Sequence, residues 1–249
     1  MSKLALVVGG GNGIGAACCA VMHEHGWQIA VADIDEAAAQ EVAQAVGGQA
    51  FALDVRNIAS IKALADRVGP IDALVVSSAI FQGNVPIEQT DEDLFDRVME
   101  VNLRGTYHVN RVFGMRMAER GAGAIVNLAS VTGQGSTPLN IYAPGKAAII
   151  NLSKSLAGEW GGRGVRVNSV SPGVTLVPRI RERKASGDRY PADLDERMAL
   201  GRCVEPNEVA EAVEFLASAR ASGITGTDLV VDCGWMTGAL WGAYLGGLR

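Results

Sequence analysis

Residues 4–33, LALVVGGGNGIGAACCAVMHEHGWQIAVAD, leave little freedom in how this chain folds. Leu4–Val8 is an unbroken apolar run of strand length, as expected for a strand buried on both faces. Five of the next seven residues, Gly9 to Gly15, are glycine. A helical pattern follows, with Ile14, Cys18, Val21 and Met22 on one face. A second apolar run, Ile29 to Ala32, ends at Asp33. Strand, glycine turn, helix, strand and acid form the dinucleotide-binding unit, in which the two strands lie parallel. Glycines let the backbone turn sharply and let a pyrophosphate approach closely, because no Cβ intervenes. The helix start offers unpaired N–H groups and the positive end of its dipole. An acid at the end of the second strand accepts hydrogen bonds from the adenosine ribose. The glycines fit two registers, Gly11-x-Gly13-x-x-Ala16 and Gly9-x-x-x-Gly13-x-Gly15, and residues further along decide between them.

The remainder of the chain continues the alternation. Residues 35–46, rich in Ala, Glu and Gln, read as a surface helix ended by Gly47-Gly48. Ala50 to Val55 reads as a third strand, residues 58–68 as a helix stopped by Gly69-Pro70, and Asp72 to Ser78 as a fourth strand. Asp54 has two readings of equal weight: a contact to the adenine amino group, or an N-cap for the next helix. Thr90 to Phe113 carries one helical period through Leu94, Val98, Val101, Val109 and Val112, with Asn102 inside it. An Asn in mid-helix is disfavoured and needs a reason. Ala124 to Leu128 is a fifth strand, ending at Ala129-Ser130. The apolar helix opened by Tyr142-Ala-Pro-Gly-Lys146 ends at Gly161 to Gly164, and Val165 to Val170 is strand six. Residues 174–203 are polar with little periodicity and suggest a flap over the site. Glu205-Pro206 starts a helix, and Leu229 to Asp232 is the seventh strand. The expected architecture is a single α/β domain over residues 1–249, a doubly wound Rossmann-like sheet of seven parallel strands flanked by helices.

Bulk properties narrow the function. With 249 residues, 48% hydrophobic and 20% charged, the chain is globular and can bury a large core. A net charge of −5 without a basic block speaks against a nucleic-acid partner. No apolar run reaches the roughly 20 residues that span a bilayer, and the N-terminal apolar residues belong to the first strand, so a cytoplasmic location is expected. The cysteines Cys18, Cys19, Cys203 and Cys233 form no CxxC pair and no metal spacing with His23, His25 or His108, so no metal site is expected.

Six stretches in order, GGGNGIG at 9–15, VNLRG at 101–105, IVNLAS at 125–130, YAPGK at 142–146, VNSVSPG at 167–173 and ITGTDLVVD at 224–232, resemble the short-chain dehydrogenase/reductase family over nearly the whole chain. The resemblance selects the Gly9-x-x-x-Gly13-x-Gly15 register and implies a catalytic set of Asn102, Ser130, Tyr142 and Lys146. It also implies cofactor contacts from Gly9, Asn12, Gly13, Ile14, Gly15, Asp33, Ile34, Asp54, Val55, Ser78, Ala79, Tyr142, Lys146, Pro172, Gly173 and Thr175. The residue types suit the chemistry. Tyr142 and Lys146, four apart on a helix, share a face. A free phenol ionises near a pH of about 10, an adjacent ammonium favours the phenolate, and a general base works best with its pKa near the working pH. On this reading Tyr142 removes the hydroxyl proton while hydride passes to nicotinamide, and Ser130 stabilises the alkoxide or carbonyl oxygen. Lys146 binds the nicotinamide ribose, and the resemblance implies that the Asn at 102 holds a water linking the lysine to solvent. A carboxylate at Asp33 binds a 2′-hydroxyl and repels a 2′-phosphate, so NAD is expected over NADP.

Several positions depart from the family pattern. Val8 replaces a usual threonine, Ser77-Ser78-Ala79-Ile80 replaces Asn-Asn-Ala-Gly, Pro144 lies inside the Tyr–Lys motif, and Val177 replaces a threonine for which Thr175 is the neighbouring substitute. The expected activity is interconversion of a secondary alcohol, whether polyol, cyclic alcohol or hydroxy acid, with its ketone. An idle NAD(H)-binding sensor or scaffold, and an epimerase or dehydratase, are the alternatives. Gln134, Leu139 and Trp235 are pocket candidates by position. Arg179, Arg181, Arg183 and Lys184 either meet an anionic substrate or form a solvated helix face. The resemblance implies a homotetramer, with helices at 102–117 and 147–158 and the apolar tail WMTGALWGAYLGGLR suited to interfaces.

Overall fold

The computed structural model describes residues 3–187 and 190–238. Seven strands form one sheet: β1 (Leu4–Val8), β2 (Gln28–Asp33), β3 (Gln49–Ala52), β4 (Ala73–Val76), β5 (Gly123–Leu128), β6 (Val165–Pro172) and β7 (Asp228–Val231). All neighbours pair in parallel, in the order β3-β2-β1-β4-β5-β6-β7. The order reverses between β1 and β4, so a crevice opens at their carboxyl ends. The helices are α1 (Gly13–Glu24), α2 (Glu36–Ala45), α3 (Ile58–Val68), α4 (Glu92–Met99), α5 (Thr106–Arg120), α6 (Tyr142–Trp160), α7 (Pro178–Ser186) and α8 (Pro206–Ala217), with one further turn at Trp235–Gly238.

Alternation along the strands builds two cores. Ala5 and Val7 of β1 face one way and pack with Cys18, Met22, Val209, Val213 and Leu216, from α1 and α8. Leu6 and Val8 face the other way and pack with Ile61, Leu64, Val109, Phe113 and Trp160, from α3, α5 and α6. Burial on both faces explains why the strands read as continuous apolar runs rather than alternating ones. The second core is very close-packed: a Cβ on Gly114 of α5 would lie 2.1 Å from Cζ3 of Trp160 on α6.

Beyond shifts of one or two residues at the ends of strands such as β4 (Asp72 to Ser78 expected), β6 and β7, the structure departs from the sequence expectation in three places. The helix expected over Thr90 to Phe113 is α4 and α5 joined by a wide i→i+5 turn at Glu100–Gly105. Asn102 is fully buried in that turn, and its side chain donates to the Ile80 carbonyl (2.9 Å) and accepts from the Ile80 N–H (2.8 Å). The loosened helix is therefore matched to a tertiary contact across 22 residues of chain. β3 is shorter than expected and stops at Ala52, leaving Asp54 beyond the ladder. Residues 174–203 are also more regular than expected. Their base is tied to Val204 by Leu176 N–H to Val204 O (2.8 Å) and Val204 N–H to Val174 O (3.0 Å), and they contain α7. Pro178 opens α7, basic side chains fill its last turn and left-handed Gly187 ends it, all favourable for a helix that buries none of its residues. From residue 239 the apolar tail expected at an interface lies outside the described residues.

Candidate active site

A cavity of about 960 Å³ lies at the carboxyl ends of the strands. Gly9, Asn12, Gly13, Ile14, Asp33, Ile34, Asp54, Val55, Ser78, Ala79, Pro172, Gly173 and Thr175 line it, together with Ser130, Tyr142 and Lys146. Residues separated by more than 160 positions are thus brought to one concave surface. Two expected residues do not line it. Gly15 lies behind the wall, where a Cβ would come 1.9 Å from the Gly9 carbonyl oxygen. Its role is to let α1 pack onto the glycine turn. Asn102 is also behind the wall, holding Ile80, which does line the cavity.

The nucleotide end is built around the glycine turn. Gly9 and Gly13 adopt positive φ (77° and 54°), where side chains are strained. A Cβ on Gly9 would lie 2.4 Å from the Ser78 nitrogen, so β1 and β4 approach backbone to backbone. Asp33 Oδ2 accepts from Gly11 N–H (2.9 Å) and Oδ1 accepts from Asp35 N–H (3.1 Å), which fixes the carboxylate at the turn. Asp54 is not the cap of α3. Asn57 is, accepting from the N–H groups of Ala59 (2.9 Å) and Ser60 (3.2 Å). Asp54 instead accepts from the Arg56 guanidinium (2.8 Å from Nη2) and backbone N–H (2.9 Å), and these bonds hold its carboxyl below the usual range. The Ser78 hydroxyl is buried and has no hydrogen-bond partner. An unpaired hydroxyl, a turn without Cβ atoms and a carboxylate at the end of β2 all fit a dinucleotide.

The reacting end is held by β5 and α6. Ser130 follows β5 and is 8% exposed, and its Oγ accepts from Thr132 Oγ1 (3.0 Å) and N–H (3.2 Å). Gly133 lets this segment lie flat on α6, since a Cβ there would sit 2.7 Å from the Ala147 nitrogen. Lys146 is almost fully buried and donates from Nζ to the Leu128 carbonyl (2.6 Å). Burial lowers its pKa to about 8. The same ammonium lies 5.4 Å from the centroid of the Tyr142 ring. Phe81 packs against the Tyr142 ring itself, with ring centroids 4.7 Å apart. Behind the site, Asn127 of β5 exchanges hydrogen bonds with Asn110 of α5 (2.8 and 3.1 Å) and donates to Ser153 of α6 (3.0 Å), tying both helices to the strand.

Of the pocket candidates, Leu139 and Trp235 line the cavity. Gln134 is turned away, donating to Asp228 of β7 (2.6 Å). Of the four flap cations, Arg179 lines the cavity, while Arg181 pairs with Glu205 and Lys184 with Asp195 (2.6 Å). Ion pairing thus accounts for two of the cations without any substrate. Thr175 is buried and donates to the Gly173 carbonyl (3.2 Å). Cys18 and Cys19 are core residues of α1, and burial raises both thiols, Cys19 to about 12. His25, Glu211 and Glu214 come within 4.8 Å of one another, which sequence spacing did not suggest. Arg220 pairs with Glu214 there and Trp27 Nε1 donates to it (3.4 Å), so a side-chain cation already meets the acidic charge. Phe81, Thr132 and Gln82 were missed at the sequence level. The signals for Thr132 and Phe81 were their proximity in sequence to Ser130 and to the strand-four terminus.

A family model described as enoyl-(acyl carrier protein) reductase matches residues 9–236. The D-threitol dehydrogenase of Mycolicibacterium smegmatis is 39% identical over 243 residues, covering 94% of this chain and 92% of that protein. The L-tagatose-forming galactitol 2-dehydrogenase of Cereibacter sphaeroides is 37% identical over 243 residues, covering 93% and 94%. A crystal structure described as ribose-5-phosphate isomerase from Brucella melitensis 16M has a TM-score of 0.95 at 45% identity, covering 100% of this chain and 97% of that one.

Proposed function

The chain belongs to the short-chain dehydrogenase/reductase family, and on that premise we propose that it oxidises a secondary hydroxyl of a polyol to the ketone, with NAD as its cofactor. The observation that carries the reading is the buried Lys146 ammonium beside the Tyr142 ring in a cavity shared with Ser130 and Asp33. Relatives named for threitol and galactitol favour a polyhydroxylated chain as substrate. Ser130, Thr132, Ser136, Thr137 and Asn84 bring polar groups to the same cavity that Ile80, Phe81, Leu139 and Trp235 line.

Gly9, Asn12, Gly13 and Asp33 would hold a dinucleotide, which would supply the hydride acceptor. The protein's own groups do the rest. Tyr142 accepts the proton of the substrate hydroxyl, helped by the cation of Lys146. The Ser130 hydroxyl, oriented by Thr132, donates to the oxygen as it becomes a carbonyl. Asp33 selects a free 2′-hydroxyl and disfavours a 2′-phosphate by like-charge repulsion. Assembly as a homotetramer belongs to the same reading, with Phe95 of α4 and Tyr107 and Met115 of α5 offered as exposed apolar contacts. No helix among the described residues is long and apolar enough to cross a membrane.

The deciding experiment is a screen of tetritols, pentitols, hexitols, cyclic alcohols and hydroxy acids with NAD and with NADP, run beside Tyr142→Phe. Reduction of NAD by a polyol, abolished in the variant, is expected. Turnover that survives Tyr142→Phe would remove the assigned base. Cofactor-free conversion of ribose 5-phosphate to ribulose 5-phosphate would favour an isomerase, the activity named for the Brucella chain.

A further inference from the structure

The start of α6, which carries Tyr142, has an incomplete set of local hydrogen bonds. A helix leaves its first N–H groups without intrahelical acceptors. The residue at the N-cap position is Ile141, whose side chain cannot accept, and no side-chain cap bond is made from it. Pro144 removes one donor altogether. Ala143 N–H finds the Leu139 carbonyl (2.9 Å) and Gly145 N–H finds the Ile141 carbonyl (3.2 Å). Two donors remain, those of Ile141 and Tyr142. Both go to one atom, Oε1 of Gln82, at 2.9 and 3.1 Å.

Gln82 comes from the loop after β4 and is completely buried. A buried amide is tolerated only when its donors and acceptors are satisfied. Its Nε2 donates to Asn140 Oδ1 (2.7 Å), and Asn140 Nδ2 donates in turn to the Val85 carbonyl (3.3 Å). The preceding residues of the loop are held as firmly. Phe81 packs on the Tyr142 ring, and the Ile80 backbone is clamped by Asn102. The loop therefore grips the first turn of α6 through backbone and ring together. Lys146, one turn further along, has its own anchor at Leu128. Loss of the loop's grip would move the phenol relative to an ammonium that stays in place.

We propose that Gln82 is a positioning residue for Tyr142: it caps α6 from a remote loop and fixes the phenol against Lys146 and the substrate hydroxyl. The capping part stands on the hydrogen bonds alone, and the catalytic consequence rests on the dehydrogenase reading. Gln82→Met keeps the volume and deletes the acceptor. Gln82→Glu keeps an acceptor for both N–H groups, and Asn140 must turn so that its Nδ2 donates to the second carboxylate oxygen in place of the bond from Gln82 Nε2.

The test uses the full chain with NAD and its best polyol, and follows kcat, KM, NADH affinity, the pH profile and amide exchange of the segment 139–145. Gln82→Met should lower kcat at least about tenfold with KM and NADH affinity held within about threefold, because misplacement of a reacting group acts on the chemical step. Exchange of the Ile141 and Tyr142 amides should accelerate while the later turns of α6 keep their protection, and the alkaline rise of the pH profile should move to higher pH. Gln82→Glu should keep the amides protected and recover most of kcat. Wild-type exchange in Gln82→Met, or lower thermal stability with kcat and pH profile unchanged, overturns the proposal. If the Met variant does not fold, the Glu variant decides. Protected amides with retained kcat support the cap, and unprotected amides with unchanged kcat, or protected amides with kcat lost, refute it. If wild type turns over no alcohol, the dehydrogenase reading fails, while the exchange data still judge the cap.

Discussion

Lys146→Met should make the protein inactive and more stable at neutral pH. The lysine is 3% exposed, and burial brings its pKa from 10.5 to about 8. Each pH unit of displacement is worth about 1.4 kcal/mol, so holding the ammonium in the fold costs about 3 kcal/mol. Methionine occupies much of the same stem volume without charge. It also gives up the 2.6 Å charge-assisted bond to the Leu128 carbonyl, a loss of about 1.5–3 kcal/mol. The net gain is about 0–2 kcal/mol, or up to about 8 °C in Tm for a chain of this length.

The pH dependence separates this account from simple repacking. Between about 8 and 10.5 the unfolded chain binds more protons at this site than the folded one, so wild-type stability rises with pH across that window. Below about 8 the penalty is complete, and above 10.5 it is gone. The advantage of Lys146→Met should therefore be largest at pH 7 and vanish toward pH 10.5. Urea unfolding of both proteins without cofactor, at several pH values, measures it. A variant less stable than wild type at pH 7, or a difference constant across pH, refutes the reasoning. Retention of such a lysine is then a trade of stability for reactivity.

Two further outcomes follow from the geometry. Asp33→Ala should raise KM for NAD about 10- to 150-fold, since hydrogen bonds to a charged group are worth about 1.5–3 kcal/mol, and should narrow the preference over NADP; an unchanged cofactor ratio in steady-state kinetics removes Asp33 from cofactor selection. Gly114→Ala should cost about 1–3 kcal/mol in urea unfolding by overpacking, because its Cβ would lie 2.1 Å from the Trp160 ring, and Trp160→Phe in the same chain should recover part of it; additive losses would show that the two sites do not touch.

The sheet was legible because both its faces are covered. Strands β1 and β4 are apolar throughout, and a glycine follows Leu4–Val8 and opens Gly123–Leu128. Left-handed glycines likewise marked helix ends, as Gly121 does for α5. The helix α7 was not legible, since PRIRERKAS has one large apolar residue, Ile180, and no hydrophobic period. Its order comes from cap chemistry and from ion pairs to Glu205 and Asp195. The site residues that the motifs picked out nearly all line the cavity. Gly15 and Asn102, expected as a cofactor contact and in the catalytic set, do not line the cavity, and a motif does not distinguish a residue that touches a ligand from one that supports the neighbour that does.

Asn102 and Gln82 illustrate two kinds of incomplete sequence signal. A buried Asn in a helical period announced that something must satisfy its amide, without saying what; the partner proved to be Ile80. The signal for Gln82 was a deficit elsewhere. Leu139-Asn140-Ile141-Tyr142 opens a helix with no Ser, Thr or Asp at the cap position, and Pro144 follows with no N–H. Buried N–H groups are almost always paired, so such a start requires an acceptor from another part of the chain. Candidates are limited to side chains that can enter an apolar loop with an acceptor and a satisfied donor. In the loop between β4 and α4, Gln82 meets both conditions because Asn140 takes its donor. An uncapped helix start beside a reactive side chain therefore marks a second residue on which the position of the first depends.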